Sequence, residues 1–322
     1  MERQRIVYID VAKGLAIFLV VLQHHELPTV LLDWVNSFLM VLFFVLSGYF
    51  WHLRPIKDEV KNGLRFLIMP LWITKIVWVI LLLFLYFKSG VYTGPNLKDW
   101  LKGGLLEKGY FCMSVIWFLY ALFWGRLLLC FIQTYLLRWT TLCVLSLFFM
   151  PLIFRDWWYS KFGCVSFPFY ILHGMVVPLL LMIGNYLRQV SFFEIKSSFI
   201  KILFILALIL MPIPLLFVSL YFPYLFWNVV ASTISTIGFV FVCKYIAECK
   251  ECHYFVSFLS FVGKNTLAIL CFHAIEMATQ ADRVLPSFVP LYIKGVCMFF
   301  VILLFLYFLR KMTLIRTLFN IK

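Results

Sequence analysis

The chain has 322 residues, of which 64% are hydrophobic, 20% aromatic and only 13% charged, and its mean hydropathy is +1.00. A water-soluble domain cannot bury this much apolar surface, so the composition excludes an ordinary globular protein and indicates a polytopic membrane protein. The formal charge of +14 is scattered over many short polar segments rather than gathered on one face, which argues against a nucleic-acid partner.

Apolar stretches long enough to cross a bilayer recur along the whole sequence. We therefore predict an all-α, polytopic membrane bundle of about ten helices that forms a single transmembrane domain over residues 1–322. The predicted spans are residues 6–25, 33–52, 66–87, 113–133, 139–155, 163–187, 199–219, 224–246, 258–278 and 291–309.

The distribution of basic residues predicts the orientation of these spans. Seventeen lysines and arginines fall on the same side as the N-terminus, against eight on the other side. The positive-inside rule then places both termini in the cytoplasm. We expect a multi-pass protein of the cell membrane, whose first span is too long to be a cleavable signal and lacks its cleavage site.

The first predicted helix is unusual because Asp10, Lys13 and His24 lie inside an otherwise apolar run. A lysine at the centre of a membrane helix costs about 2.5–3.5 kcal/mol on insertion scales, so such a residue usually serves a function. At 100° per residue, Lys13 and His24 share one face and lie roughly 16 Å apart along the axis. Asp10 is a surface neighbour of Lys13 and a candidate ion partner.

Two polar segments follow the second and third spans. The predicted inner loop, residues 52–70, carries Arg54, Lys57, Lys61 and Arg65. These cations suit either the phosphates of a nucleotide cofactor or a positive-inside anchor, and the sequence alone favours the anchor. Residues 88–112 are predicted on the outer side, as an amphipathic surface helix that roofs a site or as a simple interfacial loop.

The remaining candidates are histidines and cysteines near the later spans. His273 and Glu276 share a helix face, where they either line a cavity or form a structural hydrogen bond. The string from Cys249 to His253 has the spacing of a c-type haem attachment site. Its predicted cytoplasmic position favours a solvated loop instead, and we predict no metal site.

Five segments resemble the acyltransferase 3 family, in the order of that family. In the first helix, Asp10-x-x-Lys13-Gly14 and the ten residues between Lys13 and His24 are similar to the family's signature of a basic residue, ten residues and a histidine. The other similar segments are FLMVLFFVLSGYFW (38–51), Trp117-Phe118-Leu119, SFPFYILHG (166–174) and VGKNTLAILCFH (262–273). Within them, His173 replaces an apolar residue or glycine, and Thr266 replaces a serine.

The resemblance implies a membrane-bound O-acyltransferase that moves an acyl group, most often acetyl from acetyl-CoA, onto a carbohydrate hydroxyl outside the cytoplasm. It identifies His24 as the catalytic candidate and Lys13 as its basic partner, with Asp10 in the same element. The expected partners are therefore acyl-CoA, a carbohydrate acceptor such as a polysaccharide of the cell envelope, and the lipid bilayer.

The donor site is less clearly matched. The family's Arg-x-x-Arg motif has its nearest equivalent in Lys61 and Arg65, which are one residue too far apart. Ser47, beside Gly48, offers a small polar spot where pantetheine or a neighbouring helix approaches closely, and helix packing is slightly favoured.

The roles of His24 and Lys13, and the function of the protein, each have more than one interpretation. His24 suits a general base on the acceptor hydroxyl or an acetyl carrier, and Lys13 suits stabilisation of an anionic part of the donor or of the oxyanion. A transporter or flippase would use the same charges as a proton or solute relay, and a glycan polymerase is a third possibility. An inverted internal repeat would favour the transporter. We find none, and the spacing from Lys13 to His24 favours the enzyme.

Overall fold

The computed structural model describes residues 6–25, 27–89, 117–162, 170–210, 223–279, 285–286, 288–319 and 321. This part of the chain is 87% helical and contains no β-strand, which confirms the all-α membrane fold. A π-helical turn, Leu64–Ile68, joins the helix Ile56–Gly63 to the helix Met69–Ser89. The helices are α1 Val7–Gln23, α2 Thr29–Asn36, α3 Leu39–Tyr49, α4 Ile56–Gly63, α5 Met69–Ser89, α6 Trp117–Tyr135, α7 Thr140–Phe162, α8 Ile171–Gln189, α9 Ser198–Leu210, α10 Pro223–Glu248, α11 His253–Lys264, α12 Thr266–Thr279, α13 Leu291–Leu309 and α14 Thr313–Leu318.

The predicted number of about ten spans is not confirmed. Among the described residues, six helical stretches are long and apolar enough to cross a membrane, or seven if the bent pair Lys250–Lys264 and Thr266–Met277 is one span. The six are Thr29–Tyr49, Ile56–Leu81, Trp117–Tyr135, Ile171–Gln189, Val229–Glu248 and Leu291–Leu309.

Two predicted spans correspond to shorter helices in the described part of the chain. α1 has 17 residues, about 25 Å at 1.5 Å per residue, whereas the hydrocarbon core is about 30 Å thick. The fifth predicted span, residues 139–155, is instead helical throughout, in the 3₁₀-helical turn Leu137–Trp139 and in α7. The helix Ser198–Leu210 begins the seventh predicted span, whose residues after 210 lie outside the described part. Residues 90–112 of the predicted surface segment 88–112 also lie outside it.

Residues 52–70 are helical over most of their length, so the prediction of a loop there was wrong. Pro55 precedes α4, whose first turn carries Asp58 and Glu59, and acidic residues are favourable at a helix N-terminus. Glu59 and Gly63 are the buried residues of this short helix. Charged residues on the other face of α4 lower its hydropathy, so the hydropathy pattern did not predict a helix here.

The chain divides into two compact units, each built from separated segments. The first contains Met1–Trp51, Leu180–Ile269 and Leu285–Lys322, and the second contains His52–Leu179 and Leu270–Val284. The single domain over residues 1–322 therefore stays a prediction.

The first unit is built around α1. This helix packs along α11 and also contacts α10, α13 and α3. Gly14 and Gly263 allow the closest approach, because a Cβ at Gly14 would overlap the backbone of Leu259 and one at Gly263 would overlap the carbonyl of Asp10. The α1 turn that contains Asp10 and Lys13 is thereby held against the C-terminal half of α11.

In the second unit, α4 and the π-helical turn pack against α6. The ring of Phe123 on α6 lies where a Cβ at Gly63 would be. Gly125 on α6 and Gly174 on α8 allow these two helices to approach, since Gly125 faces Val177 and Gly174 faces Trp124. Packing against α6 also supports α4 and the turn after it, which together carry the two predicted donor-binding cations.

Candidate functional site

The three ionisable residues predicted from the first helix all lie on or directly after α1. Asp10 is 8% exposed, whereas Lys13 and His24 are partly exposed. His24 is the C-cap residue and keeps right-handed helical dihedral angles, φ −83° and ψ −3°. Lys13 and His24 are therefore connected by continuous helix, as the prediction that they share one helix face requires.

The ammonium group of Lys13 lies against an aromatic ring rather than in open solvent. Its Nζ atom is 5.0 Å from the centroid of the Phe50 ring, directly after α3. A ring face attracts a cation because its quadrupole is negative there. Contact with Phe50 thus offsets part of the cost of a lysine in a membrane helix and fixes one side of the ammonium group.

Ser47 lies on α3, which contacts α1. Its side chain is partly exposed, whereas the neighbouring Gly48 is buried against the backbone of Leu181. Gly184 makes the reciprocal contact with the backbone of Val45. Gly48 therefore serves helix packing, and a role of Ser47 toward the donor stays a prediction.

His24 and the adjacent His25 differ in their surroundings. The Nε2 atom of His24 lies 3.5 Å from the side-chain nitrogen of Gln23. His25 is 3% exposed and packs against Gly295 on α13. Partial exposure makes His24 the one of these two histidines that suits contact with a substrate.

The break between α11 and α12 lies close to the turn of α1 that carries Asp10, since Gly263 on α11 touches Asp10. Asn265 interrupts the helices and donates from Nδ2 to the carbonyl of Phe261. Thr266, which stands where the family has serine, donates to the carbonyl of Gly263 at 2.6 Å. These bonds satisfy carbonyls that the helix end leaves without intrahelical partners.

The other two predicted site residues, Lys61 and Arg65, lie in the second unit. Both are exposed, Lys61 near the end of α4 and Arg65 in the π-helical turn. The guanidinium carbon of Arg65 is 5.2 Å from the centroid of the Phe66 ring. Residues four apart are neighbours on a helix surface, so these cations project from the same side.

An ion pair that sequence reasoning missed braces α4. Arg126 on α6 donates from Nε to Oε1 of Glu59 at 2.6 Å, and the side chain of Glu59 is only 2% exposed. Close to it, the thiol of Cys130 donates to the carbonyl of Arg54 at 3.3 Å. Because the two partners are far apart in sequence, no local pattern could reveal the pair.

Lys75 on α5 was also missed, although a signal for it existed. Its side chain is 1% exposed, and Nζ lies 5.3 Å from the ring centroids of both Trp72 and Tyr120. Lys75 also donates to the hydroxyl of Tyr120 at 3.5 Å. A lysine inside the third predicted span carries the same energetic cost as Lys13 and is a functional candidate for the same reason.

His273 and Glu276 on α12 form the hydrogen bond considered from their spacing. Nδ1 of His273 donates to Oε2 of Glu276 at 2.8 Å, and the two side chains are 0% and 7% exposed. A carboxylate on Nδ1 favours the tautomer in which Nε2 is the basic nitrogen. The pair therefore has the geometry of a histidine that is oriented by an acid. On the same helix, Cys271 contacts Thr74 of α5.

Aromatic rings cluster where α6 and α8 begin. Tyr170 has a left-handed backbone, φ 54°, which is uncommon for a residue with a bulky side chain. Its ring stacks on Tyr120 and lies 5.4 Å from the exposed His173. His173 in turn lies 5.2 Å from Trp117, the first residue of the Trp-Phe-Leu segment.

The cysteine string after α10 has two partly exposed thiols, Cys249 and Cys252, without a disulfide. The thiol of Cys249 donates to the carboxylate of Glu251 at 3.1 Å, which raises the pKa of the Cys249 thiol. Metals and disulfide chemistry require the thiolate, so this contact favours the inert, protonated form. The solvated-loop interpretation stays a prediction.

A family model described as an acyltransferase domain matches residues 6–312, nearly the whole chain. No curated protein and no solved structure matches. Because the family match covers α1 through α13 and agrees with the Lys13 to His24 signature, the chain belongs to the acyltransferase 3 family and is a membrane acyltransferase.

Proposed function

We propose that the protein is an O-acetyltransferase that moves acetyl from acetyl-CoA across the membrane to a hydroxyl of an extracytoplasmic or lipid-linked carbohydrate. The observation that carries the proposal is α1: in a chain of this family, one apolar helix holds a buried Asp10 together with a partly exposed Lys13 and His24. Transfer between the two sides needs polar groups within the bilayer, and α1 supplies them along one face.

In the proposed reaction, His24 removes the proton from the acceptor hydroxyl. The hydroxyl oxygen then forms a bond to the thioester carbonyl carbon, the carbon–sulfur bond breaks, and the CoA thiol leaves with a proton. Lys13 stabilises the oxyanion or an anionic part of the donor. In the carrier version of the same reaction, the imidazole of His24 first accepts the acetyl group and then passes it to the hydroxyl.

Lys61 and Arg65 are the proposed contacts for the phosphates of acetyl-CoA, with Ser47 a further contact for the donor. Lys61 lies on α4 and Arg65 in the π-helical turn that directly follows it, so both belong to one continuous helical stretch. Arginine and lysine both bind phosphate, arginine through paired hydrogen bonds.

The proposed setting is the cell membrane, with both termini in the cytoplasm, where acetyl-CoA is made. The N-terminal end of α1 then faces the donor and its His24 end faces the acceptor. The partners would be acetyl-CoA, a carbohydrate acceptor and lipid, without a metal or nucleic acid.

The proposal is tested with purified protein in liposomes, supplied with acetyl-labelled acetyl-CoA and with neutral, acidic and lipid-linked oligosaccharides. We expect acetyl esters on a carbohydrate, released by hydroxylamine, together with one CoA thiol for each ester. Empty liposomes are the control. Movement of a carbohydrate across the bilayer without any dependence on acetyl-CoA would instead identify a transporter.

The donor contacts predict a change in binding rather than in chemistry. We expect Lys61→Gln and Arg65→Gln each to raise KM for acetyl-CoA about tenfold and to leave kcat nearly unchanged, because hydrogen bonds to charged groups contribute about 1.5–3 kcal/mol. Lys250→Gln, at an exposed lysine between α10 and α11, is the matched control. An unchanged KM in both donor variants would remove these residues from the donor site.

A further inference from the structure

We propose that the ion pair of Lys244 with Glu194 is a positioning element for Lys13, acting through two tyrosines. The importance of Lys13 for catalysis rests on the function proposed above. The positioning itself rests on a series of contacts within the first unit, which begins at the end of α10 and ends at the ammonium group of Lys13.

The ion pair is well formed. Nζ of Lys244 donates to Oε2 of Glu194 at 2.6 Å and to the carbonyl of Phe193 at 2.7 Å. The side chain of Lys244 is 11% exposed, whereas that of Glu194 is 60% exposed. Glu248, one turn further along α10, lies 3.8 Å from the same ammonium group. Two acceptors at short distance fix the lysine, and the carbonyl of the buried Phe193 makes the contact specific.

The backbone before Glu194 is bent into an uncommon conformation. Ser191 has φ 49° and precedes the short 3₁₀-helical turn Phe192–Glu194. Left-handed backbone in a residue other than glycine persists where the surrounding structure fixes it, and it often marks a functional position. Here it directs both the Phe193 carbonyl and the Glu194 carboxylate toward Lys244.

Tyr8, in the first turn of α1, connects the ion pair to α3. Nζ of Lys244 lies 5.3 Å from the centroid of the Tyr8 ring. The Tyr8 hydroxyl donates to Oε1 of Glu194 at 3.4 Å and lies 3.5 Å from the hydroxyl of Tyr49. Since the single Tyr8 proton is directed to the carboxylate, Tyr49 is the donor to Tyr8.

Tyr49 connects this network to Lys13. It is the last residue of α3, is 5% exposed, and packs its ring against Phe193 at 5.7 Å. The next residue, Phe50, carries the ring that contacts the Lys13 ammonium group. Fixing Tyr49 at the end of α3 therefore fixes the ring on which Lys13 rests.

Lysine needs such support because its four-carbon stem is flexible and its ammonium group is a point charge without a preferred direction. The Phe50 ring on one side of the ammonium group restricts the positions that this stem can take. The positioning residues are not proposed as contacts of the substrate or of the reacting atoms. Their loss should change the efficiency of transfer without removing the reaction.

The experiment compares Lys244→Met, Lys244→Arg, Tyr49→Phe and Lys201→Met in the full-length protein. Lys201→Met is the matched control, because Lys201 on α9 also lies over a tyrosine ring, 5.7 Å from Tyr245. Three quantities are measured: kcat and KM for acetyl-CoA, the thermal midpoint in detergent, and the rate at which acetic anhydride modifies Lys13, followed by mass spectrometry.

We expect Lys244→Met to lower kcat/KM about tenfold, as for a lost hydrogen bond to a charged group, and to raise the modification rate of Lys13 severalfold. Tyr49→Phe should change both quantities in the same direction by less. Lys244→Arg should restore both, and Lys201→Met should match the wild type.

A shift of the thermal midpoint alone, with unchanged kinetics and unchanged Lys13 modification in both Lys244→Met and Tyr49→Phe, would overturn the proposal. Modification of Lys13 requires no transferase activity. If the wild-type protein transferred no acetyl group, the function proposed above would fail, while the modification rates would still decide whether Lys244 positions Lys13.

Discussion

Replacing His24 with alanine is expected to lower acetyl transfer by about 10²–10⁴-fold, the range typical for loss of a general acid or base. His24 is the partly exposed C-cap residue of α1, on a face shared with Lys13 in the helical geometry. Alanine removes the imidazole without introducing bulk, so α1 and its contacts with α11 should persist. The expected signature is a lower kcat with an almost unchanged KM for acetyl-CoA.

The His24 prediction is checked in liposomes with labelled acetyl-CoA. His253→Ala is the matched control, because His253 is an exposed histidine at the start of α11. Equal transfer by wild-type protein and His24→Ala would refute the catalytic role. A labelled acetyl group trapped on the wild-type protein, and absent from His24→Ala, would support the carrier version over the general base.

α1 illustrates how much of the site a sequence can reveal. The energetic cost of ionisable groups in an apolar run identifies Asp10, Lys13 and His24, and helix periodicity alone places Lys13 and His24 on one face. The same criterion would have identified Lys75, whose burial between Trp72 and Tyr120 is evident only from the fold.

Ion pairs between residues that are far apart in sequence cannot be identified in this way. Lys244 with Glu194 and Arg126 with Glu59 are separated by 50 and 67 residues. Lys244 resembles an ordinary positive-inside anchor and the two glutamates resemble loop acids, whereas Arg126 lies inside the fourth predicted span and carries the same signal as Lys75. Only tertiary packing shows which acid each cation pairs with. The helix α4 could not be recognised from the sequence either. It has only eight residues, about two turns, so its amphipathic pattern is short.

Hydropathy measures apolar length rather than helix length, so two predicted spans do not match single long helices in the described part of the chain. α1 ends at Gln23, where the polar run of Gln23, His24 and His25 begins. The ninth predicted span is interrupted at Asn265, whose side chain bonds the carbonyl of Phe261. A hydropathy window averages over such an interruption, whereas the hydrogen bonds of the helix do not.

Arg126→Met is expected to lower the free energy of unfolding by about 3–5 kcal/mol, the usual cost of removing one partner from a buried ion pair. The variant leaves the Glu59 carboxylate, 2% exposed, without the guanidinium group at 2.6 Å. The other carboxylate oxygen has no hydrogen-bond partner among the described residues, so it offers no compensation. Unfolding of the purified protein by sodium dodecyl sulfate in mixed micelles measures the change.

The double variant Glu59→Met with Arg126→Met separates the charge effect from the packing effect. Replacing both members of a buried pair with apolar residues is often neutral, so we expect it to recover most of the lost stability. Arg138→Met, at an exposed arginine after α6, should stay within about 0.5 kcal/mol of the wild type. Because Glu59 lies on the helix that carries Lys61, Arg126→Met should also raise KM for acetyl-CoA in the fraction that remains folded. A double variant as unstable as Arg126→Met would show that packing, rather than the buried charge, accounts for the loss.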